Sequence, residues 1–115
     1  MKTQLTLKQL FTFLTIFTLS AVLSIEGSLA KKVVAITQIT QHPSLDKIRA
    51  GVLHELAAFE KETGEKVEIV YDNAQGNIAL SAQIAQRFAG LNPDAIVAIT
   101  TPSAQSVLSA VKETD

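Results

Sequence analysis

Three short apolar runs punctuate this chain, and segments of helical period lie between them. The runs are VVAITQI at residues 33–39, VEIVY at 67–71 and AIVAIT at 95–100. They are rich in β-branched residues, and the first and third are apolar on successive positions. Such runs read as strands buried on both faces. Strands in this order, each followed by a helix, give β-α-β-α-β-α. That order dictates an α/β fold: a three-layer arrangement with a parallel sheet between helices. The crossovers are expected to be right-handed.

The helical segments carry their own signals. Leu45, Ile48, Val52, Leu56 and Phe59 recur at spacings of three and four, so they share one face. Pro43 and Ser44 mark the start of that helix, and Gly64 suits the residue just past its end. A second helix begins at Ile78 or Ala79, with Leu80, Ile84, Phe88 and Leu91 on one face. Gly90 and Asn92-Pro93-Asp94 end it. The third starts at Thr101-Pro102-Ser103, and its expected apolar face is Ala104, Val107, Leu108 and Val111.

The first 30 residues differ in kind. Lys2 and Lys8 give a basic start, and an apolar, Thr-rich run follows over residues 10–25. Ser28 and Ala30 then supply small residues at the −3 and −1 positions of a cleavage site. The form is that of a secretory signal peptide over residues 1–30, cut after Ala30. The alternative is an uncleaved anchor, but the run is shorter than the roughly 20 residues a spanning helix needs. A periplasmic destination is expected, with one domain at most in residues 31–115.

Composition narrows the chemistry. The formal charge is −1, which suggests no nucleic-acid partner. The chain has no cysteine, so disulfides, thiolate catalysis, Cys-based metal sites and a lipid-modified cysteine anchor are all excluded. No GxGxxG, GxxxxGK[ST] or GxSxG pattern occurs, and no cofactor is expected. His42 and His54 lie apart, so a metal site is not expected either. Ser103 has no evident base beside it, which argues against an enzyme.

In parallel α/β sheets, ligands bind beyond the carboxyl ends of the strands. That rule selects three loops, at residues 38–46, 72–77 and 100–105, which are also the most polar segments. In the first, Gln38 and His42 are the polar candidates. In the second, DNAQGN, Asn73 and Gln75 can reach a ligand or bond the local backbone instead. In the third, Thr101 is expected to cap the helix, with Pro102 at its first position. The free N–H groups of that helix start, with Ser103, would attract an anion such as a carboxylate.

Four segments in order carry a resemblance: ITQITQHPSLDKIRAGV, VEIVYDNAQGN, AQIAQRF and PDAIVAITTPSAQS. Together they resemble ABC-transporter substrate-binding proteins of the tryptophan or aromatic-amino-acid type. The resemblance covers nearly all of residues 31–115. It implies a periplasmic binding protein-like fold of type I, whose two lobes close over a small-molecule ligand and deliver it to an ABC permease in the inner membrane. Carried over by position, it assigns ligand contacts to Gln38 and neighbouring residues, to Asn73 and Gln75, and to Thr101, Ser103 and Ala104. Family members run to roughly twice or three times this length. The sequence stops at Asp115, where a fourth strand is expected. The resemblance therefore implies a partial N-terminal lobe, with a missing second lobe or a complementing chain to complete the cleft. The alternatives are a non-functional truncated fragment and a small secreted α/β enzyme.

Overall fold

In the computed structural model, residues 31–114 are described; the expected signal peptide and its cleavage site lie outside them. The elements are β1 (Lys32–Gln38), α1 (Pro43–Thr63), β2 (Val67–Asn73), α2 (Ile78–Gly90), β3 (Ala95–Ile99) and α3 (Thr101–Lys112). The three strands form one parallel sheet in the order β2-β1-β3. The expected element order and parallel pairing are both present.

The order has a topological consequence. From β1 the chain moves to one side to form β2, then crosses back past β1 to form β3. Constant handedness requires the helix of each crossover to lie on opposite faces when the direction reverses. The core shows this. On one face Val34, Ile36 and Ile99 are buried beneath Leu45, Val52 and Leu56 of α1. On the other, Ala35 packs with Ala74 and with Ile84 and Phe88 of α2. Full burial of Phe88 alone contributes about 2–3 kcal/mol. The strand order also puts the switch in direction between β1 and β3, where such sheets leave a crevice.

Local chemistry sets the element ends. His42 is the N-cap of α1, with Nδ1 accepting from the Ser44 N–H at 3.2 Å. Gly64 ends that helix at φ 75°, a left-handed value glycine adopts freely, and its N–H reaches the Glu60 carbonyl. At the amino end of the sheet, Asp94 accepts from the Val33 N–H at 2.7 Å and donates its own N–H to the Val33 carbonyl at 2.8 Å. This ties the start of β3 to β1.

Several expectations are corrected. β2 runs on through Asp72 and Asn73, so only the second part of DNAQGN is a turn. Thr100 is not part of β3. Of the expected face of α1, Ile48 and Phe59 remain exposed, and α1 has no fully buried residue. Leu91, placed on the apolar face of α2, is also exposed.

The third helix departs furthest. Its buried residues are Ser103 and Ala110, while Leu108 and Val111 are exposed. The packed face is thus turned by about one residue from the expected one, roughly 100°. The cause is a small-residue contact with α2. Ser81 Oγ lies 3.0 Å from Ser106 Oγ, and Ser106 donates to the Pro102 carbonyl at 3.1 Å. Small hydroxylated residues let the two helices approach, and their hydrogen bonds satisfy one another. An apolar-periodicity argument does not register that contact.

Candidate ligand-binding site

All three expected loops leave the carboxyl edge of the sheet, but they are built differently. The loop after β2 closes on itself. Gln75 and Gly76 both take left-handed backbone conformations, at φ 54° and 76°. The Asn73 N–H donates to Asp72 Oδ1, that of Ala74 to the Gln38 carbonyl, and that of Gln75 to Asn73 Oδ1. Gly76 donates to the Ile39 carbonyl and Asn77 to that of Ala74. Asn77 then caps α2, its Oδ1 accepting from the Leu80 N–H at 3.1 Å. Asn73 Oδ1 is therefore engaged with local backbone. Asn73 and Gln75 do line an open concavity with Thr40, Gln41 and Tyr71, of about 440 Å³.

The first loop is bound to the second by the Gln38 and Ile39 carbonyls just described. Gln38 itself is fully buried on the central strand. Its Nε2 donates to the Thr40 carbonyl at 2.6 Å and to Asp46 Oδ1 at 3.0 Å. His42 is exposed, and its Nδ1 is occupied as the cap of α1.

The loop after β3 is the least satisfied. The residue at the cap position is Thr100, not Thr101, and its hydroxyl makes no capping bond. Thr101 is instead the first helical residue and is exposed. The sequence puts Thr101 at the cap because its hydroxyl can bond a backbone N–H and Pro102 suits the first helical position. Here Thr100 takes up the irregular conformation, at φ 88° and ψ 159°. That region is almost confined to glycine, and a β-branched residue held there stores strain of about 1–3 kcal/mol. The Ala104 N–H already donates to the Thr100 carbonyl at 3.0 Å. The N–H groups of Thr101 and Ser103 come before the first intrahelical bond and have no carbonyl of their own helix to meet. Pro102 has none to offer.

Among the described residues, the buried side-chain oxygens lacking a partner are Thr37 Oγ1, Gln38 Oε1, Thr100 Oγ1, Ser103 Oγ and Glu65 Oε2. All but the last lie at the carboxyl ends of β1 and β3. Each costs about 1–3 kcal/mol when left unpaired. Four at one topological switch point mark where the fold keeps hydrogen-bonding capacity in reserve. Parallel neighbours are about 4.8 Å apart, and Gln38 pairs in register with Ile99, the residue before Thr100. The structure thus brings Gln38 and the start of α3 to adjacent strand ends. Thr100 and Thr37 were not among the residues expected to matter. A pair of threonines before a proline at a strand end is the one sequence sign of the former.

At the outer edge, the Arg87 guanidinium bonds Asp72 and holds its carboxyl below the ordinary value. Burial acts the other way, and the Asn73 N–H adds to the lowering. No cluster of histidine or acidic residues suited to a metal ion occurs among the described residues. None of the described helices is long and apolar enough to cross a membrane.

Comparison with known proteins adds the following. A family model described as "ABC transporter substrate binding protein" matches residues 33–114. A tyrosine-binding protein of Clostridioides difficile (strain R20291) is 36% identical over 83 residues, which is 72% of this chain and 24% of that protein. A conserved domain protein from Vibrio cholerae O1 biovar El Tor superposes with a TM-score of 0.64 at 48% identity, over 69% of this chain and 27% of that one. The ABC domain from Streptococcus pneumoniae, solved in complex with L-Trp, superposes with a TM-score of 0.64 at 31% identity, over 70% and 27%. The chain spans about a quarter of the length of each of these proteins.

Proposed function

This chain belongs to the ABC transporter substrate-binding protein family, and on that footing we propose that it forms part of one lobe of a periplasmic solute receptor serving an ABC importer. The solute is a small carboxylate, an amino acid of the aromatic class. It sits against the carboxyl ends of β1 and β3, and its carboxylate meets the start of α3. The rest of the cleft comes from a second lobe or a complementing chain, and delivery is to an inner-membrane permease.

The observation that carries this reading is the strained, unpartnered loop after β3. Thr100 holds an unfavourable backbone conformation with a buried hydroxyl that bonds nothing, and the Ser103 hydroxyl beside it is in the same state. Strain of that kind persists where surrounding structure enforces it, and it gathers at ligand clamps. Donors at a helix start with positive dipole character suit an anion. The named relatives bind tyrosine in one case and L-Trp in another, and proteins of this family are binding proteins rather than enzymes. A role in binding rather than catalysis follows the same lines.

Amide NMR of the chain titrated with an amino-acid panel, led by L-tyrosine and L-tryptophan, tests the proposal. Shift changes are expected at Gln38 and from Thr100 to Ala104. Spectra that stay unchanged throughout the panel at millimolar ligand would sink it.

A further inference from the structure

We propose that Asp46 is a positioning residue that fixes the side-chain amide of Gln38, and so makes Gln38 a hydrogen-bond acceptor for an ammonium or other N–H donor on the solute. This rests on the solute-binding reading above and assigns the site a second point of recognition.

The chemistry around Gln38 permits one orientation of its amide. The two groups facing Nε2 are the Thr40 carbonyl and the Asp46 carboxylate. Both are acceptors. Turning the amide over would set Oε1 against two oxygens, so the nitrogen has to face them. Oε1 is then directed away, buried and unpartnered. What remains for a ligand at Gln38 is an acceptor alone, and an acceptor in a buried setting discriminates strongly against a group with no proton to give.

Asp46 is itself held in place. It lies in the first turn of α1, and Arg49 reaches to 3.6 Å from its Oδ1. The same guanidinium lies over the Tyr71 ring, 4.2 Å from its centroid. Tyr71 pairs with Ile36 on β1, and side chains alternate along a strand, so Tyr71 and Gln38 share the α1 face of the sheet. A chain of contacts therefore runs from the edge strand through α1 to the central strand: Tyr71, Arg49, Asp46, Gln38. Its last free atom is an acceptor. The start of α3, one strand over, offers donors. A solute with an ammonium and a carboxylate a few ångströms apart matches that pair of demands.

Asp46 also suits the first turn of a helix for its charge alone, so the test has to separate positioning from general stability. Two readouts on the full chain do so. The first is solvent exchange of the Gln38 side-chain N–H protons by NMR. The second is the ratio of affinities for L-tyrosine and for 3-(4-hydroxyphenyl)propionate, which lacks the amino group. In wild type the protons are expected to be protected and L-tyrosine preferred. Asp46→Ala should speed the exchange by about tenfold or more. It should lower the affinity ratio by about ten- to a hundredfold, with the desamino analogue bound as before. D46N keeps an oxygen for the Gln38 amide and should retain most of both. Equal exchange in wild type and D46A overturns the positioning role. An unchanged ratio, with both compounds weakened alike, overturns the acceptor role and leaves Asp46 a helix-start residue. Wild type that binds neither compound overturns the solute-binding reading and the acceptor role with it; the exchange rates still decide whether Asp46 orients the amide.

Discussion

The loops after β2 and β3 leave the same edge of one sheet, and both are polar. Their hydrogen bonding is opposite. From Asn73 to Asn77 every backbone N–H has an acceptor, two of them supplied by the loop's own side chains. At Thr100 and Ser103 two hydroxyls are buried with no partner, and the backbone between strand and helix is strained. Polarity therefore does not separate a loop that leaves its hydroxyls unpartnered from one that closes a turn. What separates them is whether the polar groups are already spent.

That contrast can be broken at several points. The largest effect is expected from Phe88→Ala. Phe88 is fully buried and packs in the same cluster as Ala74, which anchors the β2 loop. Its loss should destabilise the chain by about 3–5 kcal/mol, read from urea denaturation. A much smaller value would show that the closed loop holds itself by hydrogen bonds alone.

Thr100→Gly probes the other loop and should move stability the opposite way. Relief of strain of about 1–3 kcal/mol, less the roughly 0.5–1 kcal/mol that glycine costs in chain entropy, gives a net gain of about 1 kcal/mol. The same urea midpoint measures it, and ligand-induced shifts at Ser103 should weaken. Destabilisation would mean that Thr100 is not strained.

Asn77→Ala removes the cap of α2. A loss of about 1 kcal/mol is expected, with no change in the ligand response near Thr100. A changed response there would show that the two loops act as one unit.

The smallest effect concerns pH. Asp72 is held below its ordinary value of 3.8, first by its hydrogen bond to Arg87. A carboxyl whose folded pKa is lowered adds stability above its unfolded pKa and loses it as pH falls through the folded one. The pair is substantially exposed, so salt and solvent limit its contribution to about 0.5 kcal/mol. Arg87→Ala should flatten the acid limb of the stability curve below about pH 4, and leave it unchanged at pH 7 apart from that small offset. An acid limb as steep as that of wild type would show that Asp72 is not the group responsible.

Much of the fold was legible from the chain. The apolar run at 33–39 read as a buried strand, and β1 is one, covered by α1 on one face and α2 on the other. The run at 95–100 read the same way, but only Ile99 of it is buried, because β3 lies at the edge of the described sheet. Gly64 read as a helix end because its left-handed φ suits little else. The misses share one cause. Thr101 was expected as a cap and Leu108 as core because each matches a local pattern. In the structure Thr100 takes the cap position, and Ser103 and Ala110 take the core face of α3. Each outcome depended on a partner distant in sequence or on a neighbour that fitted better.

The sequence by itself determined the element order, the parallel pairing and the three polar loops that leave one edge of the sheet. These follow from periodicity and chain connectivity, which are local properties. Only the tertiary structure decided which polar groups remain available there. Gln38 and Asp46 meet because α1 lies over β1, the contact of Ser81 with Ser106 ties α3 to α2, and the hydroxyls of Thr100 and Ser103 are left unpaired. Hydrogen-bond satisfaction is settled by packing between elements, and a local pattern does not contain it.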